Sequence, residues 1–249
     1  MITIKTEAEI ELMKKANKIV AETRETLREA IKPGVTTRQL DKKAEKLIRK
    51  QGAIPAFKGY QGFPSTICAS LNDQVVHGIP NDQILKEGDV LSIDLGAIWK
   101  GFYGDSAITC AVGHISDKAQ RLLKITEESL YKGIDAAQPN ARLHDIGAAV
   151  QEHVEQAGYS VVREFVGHGI GQALHEDPQI PNYGTRGTGP QLKVGMVIAI
   201  EPMVNAGDAG VEILEDGWTA VTKDGSLSAH FEHTLAILPN GPEILTTLQ

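Results

Sequence analysis

Val90-Leu-Ser-Ile-Asp-Leu-Gly-Ala-Ile-Trp-Lys-Gly-Phe-Tyr-Gly-Asp-Ser-Ala-Ile-Thr-Cys-Ala-Val112 reads as two long strands joined by a tight turn. The runs Val90 to Trp99 and Phe102 to Val112 are rich in apolar and β-branched residues, and Lys100-Gly101 between them is turn chemistry. Each run holds an acid that an apolar strand does not need, Asp94 in the first and Asp105 in the second. A reversal at Lys100-Gly101 brings residues 94 and 105 roughly level on adjacent strands. Both then face one side, because side chains alternate along each strand. Spacing alone leaves a second reading open, in which Asp105 is a strand-end acid beside Gly104 and Ser106.

Helical patterns flank this hairpin. Thr6 with Glu9 makes a capping box, and Ile10, Met13, Val20 and Leu27 continue at helical spacing until Pro33-Gly34 stops them. A second helix opens at Thr36 with Gln39 and ends at Gly52. Gly59 to Pro64 is a loop, and Ile67 to His77 reads as a strand. After the hairpin come two helices, about Asp117 to Ala136 and Leu143 to Ala157, separated by Pro139-Asn140. The remainder is strand and loop, with apolar runs near Val161-Val162, Met196 to Ile200, Val211 to Leu214, Trp218 to Thr222 and Phe231 to Leu238. Two groups of strands divided by a helical pair predict an α+β fold with antiparallel sheet and flanking helices, in a single domain over 1–249.

Composition narrows the function classes. With 249 residues, 41% hydrophobic and 23% charged, the chain is an ordinary globular protein and not a disordered one. A net charge of −7 argues against a nucleic-acid binder, and no apolar run reaches membrane-spanning length. Two cysteines, Cys68 and Cys110, form neither a disulfide framework nor a four-thiolate zinc site. The N-terminal segment lacks the apolar core of a secretory signal, so a cytoplasmic location is expected. The 25 glycines exceed the usual ~7% share, and part of them, Gly96, Gly104, Gly167 and Gly169 included, fall beside the candidate residues.

Those candidates are acids inside apolar strands. Besides Asp94, Glu201 ends Met-Val-Ile-Ala-Ile-Glu-Pro and Glu232 lies in Ala-His-Phe-Glu-His-Thr-Leu-Ala-Ile-Leu. A buried carboxylate without a partner costs several kcal/mol, so it protonates, pairs with a cation or binds a metal. No Lys or Arg occurs within 90–99, 102–112, 194–210 or 226–238, so an ion-pair partner has to come from elsewhere in the chain. His168 lies between glycines in Phe-Val-Gly-His-Gly-Ile-Gly-Gln-Ala-Leu-His, and His175 closes that segment. His144 and His153 fall on a solvated helix face and His114 in a turn. His230 shares strand parity with Glu232, while His233 points the other way. Four carboxylates and an imidazole suit Mn, Fe(II), Co or catalytic Zn rather than a structural zinc, and hydrolysis is the natural chemistry.

The ordered set Asp94, Asp105, His168, Glu201 and Glu232 resembles the metal ligands of type I methionine aminopeptidases. The surroundings are similar too: Asp-Leu-Gly at 94, Gly-Asp-Ser at 104, Gly-His-Gly-Ile-Gly at 167, Ile-Glu-Pro at 200, Glu-His-Thr at 232, and Val-Val-His-Gly-Ile-Pro at 75. The resemblance implies a pseudo-symmetric pita-bread fold with two divalent metal ions in a central cleft. Asp94 binds one ion, Asp105 and Glu232 bridge the pair, and His168 and Glu201 complete the other. A water between the ions attacks the first peptide carbonyl, with Glu201 handling the proton. His175 bonds near the oxyanion or scissile amide, and His77 contacts the substrate backbone. The implied substrate is the N-terminus of a nascent peptide, methionine followed by a small residue.

Tyr60, Phe63, Cys68 and Trp218 match the family's methionine pocket, although each also reads as plain core packing, Trp218 above all. Asn72 and Ser228 match positions near a monovalent cation. Phe57, Leu174 and His230 depart from commoner family patterns and bear on side-chain preference and tuning of the site. Thirty-one positions separate Glu201 from Glu232, too few for the helical insertion of type II relatives. The cysteine count leaves no zinc-finger extension, so the organisation resembles the bacterial kind. A transient ribosome contact and a monomeric state are further expectations. Two rivals differ in class: an aminopeptidase P or prolidase, which usually carries an extra N-terminal domain, and a non-catalytic binding module, which typically loses its ligands.

Overall fold

Both helix starts foreseen by capping boxes are built that way in the computed structural model, which describes residues 1–248. Residue 249, the end of the expected domain, lies outside the described residues. Helix α1 spans Glu7–Ala30 and α2 Thr37–Lys50; Thr6 and Thr36 accept from the backbone N–H of Glu9 and Gln39, whose side chains accept from the cap N–H in return. Short strands β1 (Ile54–Pro55), β2 (Ile67–Leu71) and β3 (Gln74–Val76) lead into the hairpin of β4 (Val90–Trp99) and β5 (Phe102–Ala111). Its turn residues Lys100 and Gly101 both have positive φ, 48° and 82°, the geometry that follows the twist of the strands. Strand β4 pairs with β5 along one edge and with β1 and β2 along the other. Helices α1 and α2 cover this sheet, burying Ile19, Leu27, Leu40 and Ile48 against Ile67, Leu91, Ile93 and Leu95.

The second half repeats the plan. Helices α3 (Asp117–Ala136) and α4 (Leu143–Gln156) follow the expected bounds. Ten strands follow them: β6 (Ser160–Val161), β7 (Gly167–Gly169), β8 (Glu176–Ile180), β9 (Val197–Ile200), β10 (Met203–Asn205), β11 (Val211–Ile213), β12 (Ala220–Thr222), β13 (Ser228–His230), β14 (His233–Leu238) and β15 (Gly241–Ile244). The principal sheet here runs β15-β14-β9-β7-β8, antiparallel throughout. Leu122, Leu130, Ile146 and Val150 pack on Ile198, Ile200, Leu235 and Ile237. Each half is therefore a helix pair on an antiparallel sheet, the pseudo-symmetric α+β arrangement expected.

A third apolar cluster joins the halves, with Ile10, Met13, Phe57, Phe63, Cys68 and Phe102 meeting Ile170, Leu174, Val197 and Ala236. Two expectations need correction. Ile67 to His77 is not one strand: it turns at Asn72-Asp73, where Asn72 has φ 57°, and His77 lies beyond β3 with φ 61°. The run Phe231 to Leu238 is also broken, because Phe231 and Glu232 sit between β13 and β14. Their backbone N–H groups bond to Pro202 and Ala107 carbonyls instead of to a regular ladder. Among the described residues, no helix is long and apolar enough to cross a membrane.

Candidate metal centre

The acids of the hairpin share a face but are not level. Asp94 lies opposite Ala107, and Asp105 lies opposite Gly96, so the two carboxylates sit on a diagonal, two residues out of step. The strand-end reading of Asp105 fails: it is well inside β5 and 3% exposed. Cys68 on β2 lies directly opposite Asp94 and extends the same row.

The second half delivers the remaining donors from strand ends. His168 is the central residue of β7, whose flanking glycines are demanded by close approach. A Cβ on Gly167 would stand 2.3 Å from the Ala199 carbonyl oxygen. Glu201 follows the last residue of β9, and Glu232 occupies the break before β14. Two hydroxyls clamp the halves reciprocally. Ser106 Oγ donates to the Glu232 carbonyl at 2.7 Å, and Thr234 Oγ1 donates to the Asp105 carbonyl at 2.8 Å.

The side chains converge. Asp105, His168 and Glu232 offer donor atoms that all lie within 4.8 Å of one another, an arrangement able to hold a metal ion. His168 Nε2 is 3.5 Å from Glu201 Oε1 and 3.9 Å from Asp105 Oδ2. His168 Nδ1 donates to the Gly169 carbonyl at 2.9 Å, which leaves the Nε2 lone pair facing the acids. Asp94 Oδ1, Asp105 Oδ1 and Glu232 Oε1 are buried without a hydrogen-bond partner. Burial pushes Asp94 up to about 7 and raises Asp105, Glu201 and Glu232 well above the ordinary carboxylate range, with repulsion from the neighbouring acids adding to it in those three. Burial likewise depresses His168 to about 3, so its imidazole is neutral. Four acids crowded together with orphaned oxygens and a neutral imidazole fit divalent cations of the Mn, Fe(II), Co or Zn type.

The same cavity, about 170 Å³, is lined on its other side by Phe57, Tyr60, Phe63, Cys68, Leu174 and Trp218. The Phe63 and Trp218 rings meet edge to face at 5.1 Å between centroids. All four proposed pocket residues therefore come together, with Phe57 and Leu174 beside them. Cys68 is an inert wall, because burial and then the charge of Asp94 push its thiol up. His77 lines the cavity, packs edge-on against Phe165 and Trp218, and is depressed to about 4 by burial. His175 meets His168 edge to face at 4.4 Å between centroids, its Nδ1 2.8 Å from the Tyr60 hydroxyl.

His230 does face the site, with Nε2 3.8 Å from Glu201 Oε2 and no hydrogen-bond partner of its own. His233 points away and bonds to Thr246 Oγ1 at 2.7 Å. Asn72 and Ser228 adjoin through a 2.9 Å backbone hydrogen bond, and the Asn72 side chain bonds to Val90 and Asp89. Gln61 also lines the cavity and was missed, because a polar residue in a Gly-rich loop carries no periodic signal.

The model of metallopeptidase family M24 matches residues 11–239. The chain is 57% identical over 246 residues to methionine aminopeptidase 1 of Bacillus subtilis (strain 168), covering 99% of each. It is similar to the crystal structure of methionine aminopeptidase from Thermotoga maritima, with 50% identity, a TM-score of 0.98, and 99% and 100% of the two chains covered. The prolidase from Pyrococcus horikoshii OT3 is more distant: 26% identity, a TM-score of 0.79, and coverage of 99% of this chain but 64% of that one. These likenesses agree with the acid cluster and the apolar wall beside it: the chain belongs to metallopeptidase family M24 and, within it, to the methionine aminopeptidases.

Proposed function

We propose that the chain, as one catalytic unit, removes the N-terminal methionine of nascent polypeptides whose second residue is small. The observation that carries this is the junction, in one cavity, of the acid cluster and an apolar wall. Asp94, Asp105, His168, Glu201 and Glu232 would hold the divalent ions in this reading, two of them on the family likeness. When bound, such ions acidify water and polarise a peptide carbonyl. Glu201, whose side chain is 14% exposed, would take up the proton released by the attacking water and pass it to the leaving amine.

His175 is neutral at neutral pH because burial lowers its proton affinity. With the Tyr60 hydroxyl donating to Nδ1, its Nε2–H serves the oxyanion or the scissile amide. His77, also neutral, contacts the substrate backbone. Tyr60, Phe63, Cys68 and Trp218 receive the methionine side chain, a flexible thioether suited to an aromatic wall. The same reading places the enzyme in the cytoplasm as a monomer that meets nascent N-termini by transient ribosome contact, with a monovalent cation beside Asn72 and Ser228.

The experiment is a comparison of Met-Ala-Ser with Xaa-Pro peptides in the presence of Mn or Co. Cleavage of the first alone is expected. Cleavage only before proline would replace this reading with a prolidase one.

A further inference from the structure

The acid cluster has no lysine or arginine ion pair among the described residues, yet one cation stands directly behind it. Arg24 lies on α1, far from the cluster in sequence, and is 8% exposed. Its Nη1 donates to Ser106 Oγ at 2.6 Å. Ser106, fully buried beside Asp105, passes its own hydrogen to the Glu232 carbonyl at 2.7 Å. The outer edge of the guanidinium is fixed by Glu25, at 3.3 Å from Nη2, and Glu25 is held in turn by Arg28 Nε at 2.7 Å. Thr234, which makes the matching clamp on Asp105, has no cation in its hydrogen bond.

A buried arginine costs several kcal/mol unless its charge is used. Here the charge-assisted bond polarises the Ser106 hydroxyl, strengthening the hydrogen bond that fixes the Glu232 peptide. The structure assigns Arg24 as a positioning residue of the metal centre, acting through Ser106 on the Glu232 backbone, so that metal affinity depends on it. The assignment rests on reading the acid cluster as the metal centre.

The test measures Mn(II) affinity by titration calorimetry on the full chain, with the visible spectrum of the Co(II) form as a second readout. R24M, which keeps bulk but no donor, is expected to weaken Mn(II) binding about 10–100-fold, the usual effect of removing a group that orients a ligand. R24K should recover most of that loss, and R24M should add little to S106A, because the two residues act in series. If R24M melts lower without metal but binds Mn(II) as tightly as the wild type, Arg24 is only a structural residue and the proposal falls. Additive losses in R24M/S106A would also overturn it. Should R24M not fold, R24Q takes its place: unchanged affinity and an unchanged Co(II) spectrum would refute the assignment. D105A separates the two layers: if D105A keeps its metal, the metal-centre reading itself is wrong. If D105A loses metal while R24M does not, only the role of Arg24 fails.

Discussion

The two halves of the molecule supply the centre by different means. The N-terminal half places Asp94 and Asp105 inside two ten-residue strands. The C-terminal half places His168 in a three-residue strand, Glu201 just after a four-residue strand, and Glu232 in a gap between strands. A long strand sets side-chain direction by alternation, so the first pair is positioned by regular structure. The second group depends on close packing and, at Glu232, on the hydroxyl of Ser106. Rigidity is thus built from periodicity on one side and from contact on the other.

Removing one acid from each half is the strongest way to break this comparison. D105A and E232A are each expected to lower activity about 10³-fold or more, several kcal/mol of lost charge stabilisation, with matching loss of metal measured by elemental analysis. If either variant kept full metal content, the halves would not be equal contributors. The histidines sharpen it next. H175A should lower kcat about 10²-fold, the usual effect of losing an oxyanion donor, whereas H77A should act more on KM.

Close backbone packing occurs in both halves, since a Cβ on Gly104 would also meet backbone atoms of α1, and it contrasts with the open turns. G167A places a Cβ against the Ala199 carbonyl and should cost about 2–3 kcal/mol in denaturant unfolding. G101A, at φ 82° with open space around it, should cost only about 1 kcal/mol. Equal costs would remove the distinction between a close backbone contact and an open turn. W218A, which opens the apolar wall without touching an acid, should lower kcat/KM for a methionine peptide about tenfold.

The smallest effect is a pH dependence of the metal-free chain. Its four site carboxyls titrate higher folded than unfolded, Asp94 near 7 and the others above their ordinary values. Buried His77 near 4 and His168, His230 near 3 titrate lower than their unfolded 6.5. Between about pH 4 and 6.5 the two groups oppose each other. Above that, the imidazoles are neutral in both states, while Asp94 still binds a proton only in the fold. Stability therefore falls as pH rises from 6.5 through the titration of Asp94, by about 1 kcal/mol or ~2–4 °C in Tm toward pH 8.5. Saturating Mn(II) should reverse that slope, and a flat melting profile would count against the buried acids.

The same contrast explains what the sequence made legible. The hairpin, its turn, both capping boxes and the bounds of all four helices follow from periodicity and cap chemistry, and the structure matches them closely. The diagonal of Asp94 and Asp105 is legible there too, though not as a level pair: a two-residue turn sets Trp99 opposite Phe102, which puts Asp94 opposite Ala107 and Asp105 opposite Gly96. His77 and Glu232 were foreseen as residues but misplaced as strand members. Their positions depend on a left-handed backbone at 77 and on a carbonyl of Ala107, more than a hundred residues from Glu232. Arg24 carried no signal at all, since an arginine on an amphipathic helix reads as a surface charge until the fold buries it.

The reciprocal clamps have a consequence for how the chain matures. Ser106 and Glu232 are 126 residues apart, and Thr234 and Asp105 are 129 apart. Contacts that close loops of this length carry a large ordering cost and form late. A half-synthesised or half-folded chain accordingly has two acids in a hairpin and no assembled centre, so peptide-bond cleavage begins only once both halves have docked.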